Sequence, residues 1–213
     1  ATATYALAQE VYGKAAEAAG NEKLREAQVS RVDLIATSIR MLDHFLSTWP
    51  TDPAADQASF SLANSLLELE QFDEAVSRCG KVAERYPRSK LLDSFWYVIG
   101  YSQFALGEHQ KALAMCRKVA EAKRTDKKTG RVVDSPNKHQ AVYILGQVYH
   151  SLGKAADAVA EYRRVEKRFA DAAEAIRYFL RKAQRPGVRL RPRVLVAVPG
   201  CITPVEKRAV FNS

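Results

Sequence analysis

Three cysteines, four histidines and several clusters of lysine and arginine are the residues of this 213-residue sequence with chemistry to offer. Cys79, Cys116 and Cys201 have no close spacing, which fits neither a disulfide framework nor a cysteine-based zinc site. His44, His109, His139 and His150 include no i, i+4 pair, so no two share a helical face as ligands and no metal is expected. His150, Asp157 and Glu161 are the residue types of an acid–base cluster. Mixed charge is ordinary on a helix, however, and no glycine-rich phosphate loop, serine elbow or metal-ligand motif accompanies them. The sequence therefore predicts no catalytic residue, no cofactor and no enzyme.

The net charge of +9 raises anion binding as another chemistry. It is unevenly spread: from Arg181 onward there are eight Lys/Arg against one acid, Glu206. A second basic patch, Lys123, Arg124, Lys127, Lys128 and Arg131, together with Lys138, faces only Asp126 and Asp134. Binding of nucleic acid or an anionic surface through this loop and the tail is the alternative functional reading, though nucleic acid is not the expected partner. At 47% hydrophobic residues the chain can bury a substantial core. No window reaches eighteen apolar residues, so no transmembrane segment is expected, and Glu10, Lys14 and Glu17 argue against a secretory leader in the first twenty positions. Neither compartment nor oligomeric state follows from composition.

The elements that would position these residues repeat. With Gly100 as origin, Trp96 lies four before, Ile99 one before, and Gly107, Ala112, Cys116 and Val119 lie seven, twelve, sixteen and nineteen after. Origin Ala63 yields Ser59, Leu62, Glu70, Ala75, Cys79 and Val82; origin Gly146 yields Val142, Leu145, Gly153, Ala158, Tyr162 and Val165. Each unit reads as a helix, a short turn ("LEQFDE", "LGEHQK", "LGKAAD") and a second helix. Small residues on both helices permit close antiparallel approach. The origins stand 37 and 46 residues apart, so "AKRTDKKTGRVVDSPNK" is an insertion, expected as a surface loop. Cys79 and Cys116 occupy equivalent places on second helices. Packed helix axes stay about 8 to 10 Å apart and a disulfide needs Cα atoms within about 7 Å, so both are expected as buried thiols.

This pattern resembles the tetratricopeptide repeat, whose helical hairpin of roughly 34 residues carries a large residue, Leu-Gly, an aromatic, Ala and Pro in order. "WYVIG", "LGEHQKAL" and "RYPRS" of the middle unit carry the likeness best, and it covers residues 56–170. The Tyr-Pro-x-Ser at Tyr86 to Ser89 is similar to repeats of bacterial envelope proteins. The resemblance implies an all-α fold, a right-handed superhelical stack of antiparallel hairpins, with an irregular, strand-like C-terminal tail. Residues 1–55 are expected as a degenerate hairpin, 56–184 as three repeats with a capping helix at "DAAEAIRYFLRKAQ", and 185–213 as a basic tail or the start of a further domain.

The resemblance further implies a protein or peptide partner held on first helices. Fixing the helix phase from buried Leu62/Ala63, Ile99/Gly100 and Leu145/Gly146 leaves three rows facing a groove. They are Phe60, Asn64 and Leu67; Tyr97, Tyr101 and Phe104; and Tyr143, Gln147 and His150. Phe104 and Tyr143 are also candidates for packing between repeats, and Trp96 is expected as a framework wedge inside its own hairpin. In the family's clamp for acidic chaperone C-termini, Asn64 matches one Asn. Phe60, Val98, Gln140 and Ile144 stand where the clamp has Lys, Asn, Lys and Arg, so a clamp adaptor is not expected.

Overall fold

The structure is a computed structural model that describes residues 1–166 apart from positions 19, 127 and 128. The expected capping helix, the tail and Cys201 lie outside the described residues. Contacts divide the chain into two compact units, Ala1–Val98 and Ile99–Ser213.

The first unit holds α1 (Thr2–Glu17), α2 (Glu22–Glu26), α3 (Arg31–Thr48), α4 (Ala55–Glu68), α5 (Phe72–Arg85) and the start of α6 (Leu92–Ala105). The expected N-terminal hairpin is α1 packed on α3, with the one-turn α2 between them. A capping box starts α3: the Asp33 N–H donates to Ser30 Oγ at 3.2 Å and the Ser30 N–H donates back to the Asp33 carboxylate at 2.9 Å. The Ser30 hydroxyl, which donates to the same carboxylate at 2.6 Å, and then the Ser30 N–H hold the Asp33 carboxyl below its usual range. Ile35, Leu42 and Phe45 are fully buried on one stripe of α3, and Ser38 Oγ donates to the Ala8 carbonyl of α1 at 2.8 Å. The next joints are α3 on α4 and α4 on α5. Arg78 of α5 donates to both Asp43 of α3 and Glu74 of its own helix.

A buried polar cluster joins α1, α3 and α4. Glu68 has a side chain only 2% exposed and accepts from both the Arg31 guanidinium and the Tyr12 hydroxyl. Its members are 37 and 56 residues apart, so no local pattern announces them.

The second unit holds the rest of α6, then α7 (His109–Glu121), β1 (Lys123–Thr125), β2 (Val132–Asp134), α8 (Lys138–Ser151) and α9 (Ala155–Glu166). Its helices meet at small residues. A Cβ placed on Gly100 would lie 2.7 Å from Cys116 Sγ, and one on Gly146 would lie 2.4 Å from a ring carbon of Tyr162. Glycine at these two positions is what permits the close approach.

The three helix-to-helix turns share one pattern of bonding. Glu70, Gly107 and Gly153 all take positive φ, at 57°, 78° and 73°. In each turn the following N–H (Gln71, Glu108, Lys154) donates five residues back, to Leu66, Gln103 and Tyr149, at 2.9, 2.8 and 2.9 Å. This is the Schellman closure of a helix C-terminus, which the left-handed residue makes possible. Helix α3 ends as α5 does: Trp49 (φ −128°, ψ 63°) closes α3 as Tyr86 (φ −121°, ψ 61°) closes α5. The Tyr86 hydroxyl donates to the Pro50 carbonyl at 2.7 Å.

The insertion departs from expectation. Expected as a surface loop, it carries an antiparallel β-hairpin, pairing Lys123 with Asp134, Arg124 with Val133 and Thr125 with Val132. Ala122 leaves α7 in an extended conformation (ψ 133°) where Tyr86 does not, and the β-branched Val132 and Val133 supply the second strand.

Candidate partner-binding surface

Tyr97, Tyr101 and Phe104 sit at i, i+4 and i+7 of α6 and therefore along one side of it. All three are half-buried, while Phe95 and Ile99 on the opposing side are 0% and 5% exposed. Helical rise puts about 10 Å between the first and last of the row. Phe104 is partly committed to its own turn, its ring 6.1 Å from that of His109. Trp96, expected as a buried wedge, is only half-buried; Phe95 is the aromatic that α6 buries outright.

On α4, Phe60, Asn64 and Leu67 are half-buried, and Phe60 packs edge-on against Phe95 with ring centres 6.0 Å apart. On α8, His150 is half-buried and the Tyr143 ring lies 5.6 Å from Tyr162 of α9. Burial raises the hydroxyl pKa of both tyrosines. Gln147 is a correction: at 1% exposure it lines no open surface. From Gln140 to Tyr149 every residue of α8 except Tyr143 is buried, so a phase inferred from Leu145 and Gly146 could not find an exposed row on a helix enclosed on nearly all sides. Both polar atoms of the Gln147 amide are buried without a hydrogen-bond partner. Three of the positions equivalent to clamp residues are also inside: Val98 is 1%, Ile144 0% and Gln140 7% exposed.

The basic patch sits on the hairpin. Lys123 and Lys138 both donate to Asp134, and these bonds, that from Lys123 foremost, pull its carboxyl down to about 2. Arg124 and Arg131 are exposed; Lys127 and Lys128 lie outside the described residues. Glu161 of the acid–base candidates pairs with Arg164 at 2.6 Å, and Asp157 is exposed. Cys79 and Cys116 are free, 1% and 0% exposed, with burial pushing both thiols up to about 12. Among the described residues no cluster of His, Cys, Asp and Glu could hold a metal ion, and no helix is long and apolar enough to cross a membrane.

Paired antiparallel helices closed by the same left-handed turn three times over define a helical-repeat protein. The tetratricopeptide repeat family model matches residues 60–127 and 130–173, more than half of the chain, and the chain belongs to that family. Among solved structures it is similar to a Podosopora anserina putative kinesin light chain of nearly identical TPR-like repeats. The likeness covers 85% of this chain and 84% of that one at 14% identity, with a TM-score of 0.56. A single-substitution variant of the same protein gives the same coverage and identity and a TM-score of 0.57. These likenesses establish the fold. No curated protein matches the chain.

Proposed function

We propose that the chain is a non-catalytic scaffold that holds a peptide or a partner protein in a groove lined by the Tyr97–Tyr101 side of α6, with those two residues as anchors. Family membership supports protein partners in general, since helical repeats present extended surfaces suited to a second chain. The observation that carries the choice of α6 is the pair of large aromatic side chains one turn apart, each half-buried on a helix that buries Phe95 and Ile99 on its other side. Tyrosine offers wide contact area and a polar tip with little rotamer entropy to lose.

The test uses a peptide selected against the full chain from a random display library. Tyr97→Ala with Tyr101→Ala is expected to weaken its binding by about tenfold or more, roughly 1.4 kcal/mol, while helicity and the melting temperature hold. A large fall in melting temperature with undiminished binding by the folded fraction would show that the two rings are core.

A further inference from the structure

The hairpin inserted between α7 and α8 carries a second surface that the repeat framework does not use. Its pairing settles which backbone groups point outward. Ser135 N–H donates to the Ala122 carbonyl at 3.1 Å, and Asp126 N–H donates to the Arg131 carbonyl at 2.8 Å. Bonded and non-bonded pairs alternate along an antiparallel ladder. The bonded pair between those two is therefore Arg124/Val133, and Lys123/Asp134 and Thr125/Val132 are non-bonded pairs. The N–H and C=O groups of Lys123 and Thr125 thus face away from β2, along an edge whose three residues are all exposed.

We propose that this β1 edge accepts an acidic, extended segment of another protein as a third strand. Main-chain bonds to Lys123 and Thr125 would align the segment, and the exposed side chains of Arg124 and Arg131 would select its charge. Charge complementarity decides the occupant. Lys123 is already occupied by Asp134, but Arg124 and Arg131 are exposed. A second copy of this chain fits poorly: two β1 strands paired about a two-fold axis at Arg124 set arginine directly opposite arginine, which is destabilising. Cationic side chains on an edge strand guard against self-pairing, and the same charges leave the edge open to a strand of opposite sign.

The experiment uses the full chain, isotope-labelled, with a synthetic peptide alternating Glu with Val and Thr, the same peptide with Lys for Glu, and a mixed-sequence DNA duplex. The acidic peptide is expected to bind and to slow amide exchange at Lys123 and Thr125, and the lysine peptide to leave both unchanged. Thr125→Pro deletes an outward N–H that the hairpin itself does not use, so it should weaken acidic-peptide binding by about tenfold while the Asp126 and Ser135 amides stay protected. Arg124→Glu should weaken it likewise. If Thr125→Pro disrupts the hairpin, the wild-type exchange at Lys123 and Thr125 decides. The proposal is overturned if the acidic peptide fails to bind, if it binds without protecting those two amides, or if an intact Thr125→Pro hairpin binds it as well as wild type does. It is also overturned if only the DNA binds.

Discussion

Gly146→Ala tests the closeness of the helical hairpin at its tightest point. The added methyl carbon would stand 2.4, 2.7 and 2.9 Å from three carbons of the Tyr162 ring, where carbon atoms normally rest about 3.5 to 4.0 Å apart. Something must move by about 1 Å. Tyr162 has little room to do so, being 3% exposed and in ring contact with Tyr143. Overpacking of this kind costs about 1–3 kcal/mol, and contact with three atoms of a buried ring argues for the upper end. Replacing glycine inside a helix recovers about 1 kcal/mol, leaving a net loss of about 2 kcal/mol. For a chain of this size that lowers the melting temperature by about 4–8 °C. Gly80, inside α5, supplies the control, because a Cβ there meets nothing within 4 Å. Gly80→Ala should gain about 0.5–1 kcal/mol from backbone entropy alone, so the two identical substitutions are expected to differ in sign. The assay is thermal melting followed by circular dichroism, with a double-mutant cycle adding Tyr162→Val. In that background the penalty of Gly146→Ala should largely vanish. If Gly146→Ala stabilises as Gly80→Ala does, or if its penalty survives loss of the Tyr162 ring, α8 and α9 are not closed through this contact.

Further outcomes are expected. Glu70 holds φ at 57° where the other two turns have glycine, so Glu70→Gly should raise stability by about 1 kcal/mol, read as an upward shift in the denaturant midpoint. Glu68→Ala strands the Arg31 guanidinium, 23% exposed, and should cost about 3 kcal/mol, the lower end for breaking a buried pair. Loss of the exposed Glu10–Lys14 pair through Glu10→Ala should leave the melt unchanged. Cys79 and Cys116 should resist aromatic disulfide reagents at pH 8 until the chain unfolds, as mapped by peptide mass. Their folded pKa values, about 12 against 9.0, have a consequence for alkaline stability. The unfolded state releases these protons first, so the contribution is complete below pH 9 and is lost as pH rises from there toward 12. A denaturant midpoint that stays flat across that interval would contradict the burial of both thiols.

The hairpin repeats were legible because their signal is local and recurs. Gly107, Gly153 and the small residues at Ala63, Gly100 and Gly146 mark turns and close contacts that backbone sterics impose wherever they occur. The first turn was harder, since Glu70 takes the left-handed conformation without the residue that advertises it. Phe60, Asn64, Leu67, Tyr97, Tyr101, Phe104 and His150 fall at half-exposed positions that a helical period can indicate. Gln147 does not, because exposure depends on everything packed around α8, and polarity alone reads as surface. The insertion looked like a loop because two three-residue strands are too short to show alternation. The Tyr12–Arg31–Glu68 cluster joins residues brought together only by the packing of three helices, information that no short window contains.

Amide hydrogen exchange on the full chain, with and without the library-selected peptide, addresses the central claim directly. Protection is expected to concentrate on α6 from Tyr97 to Phe104 and to disappear in the Tyr97→Ala, Tyr101→Ala double variant. Protection elsewhere with α6 unchanged, or protection that persists in the folded double variant, would contradict it.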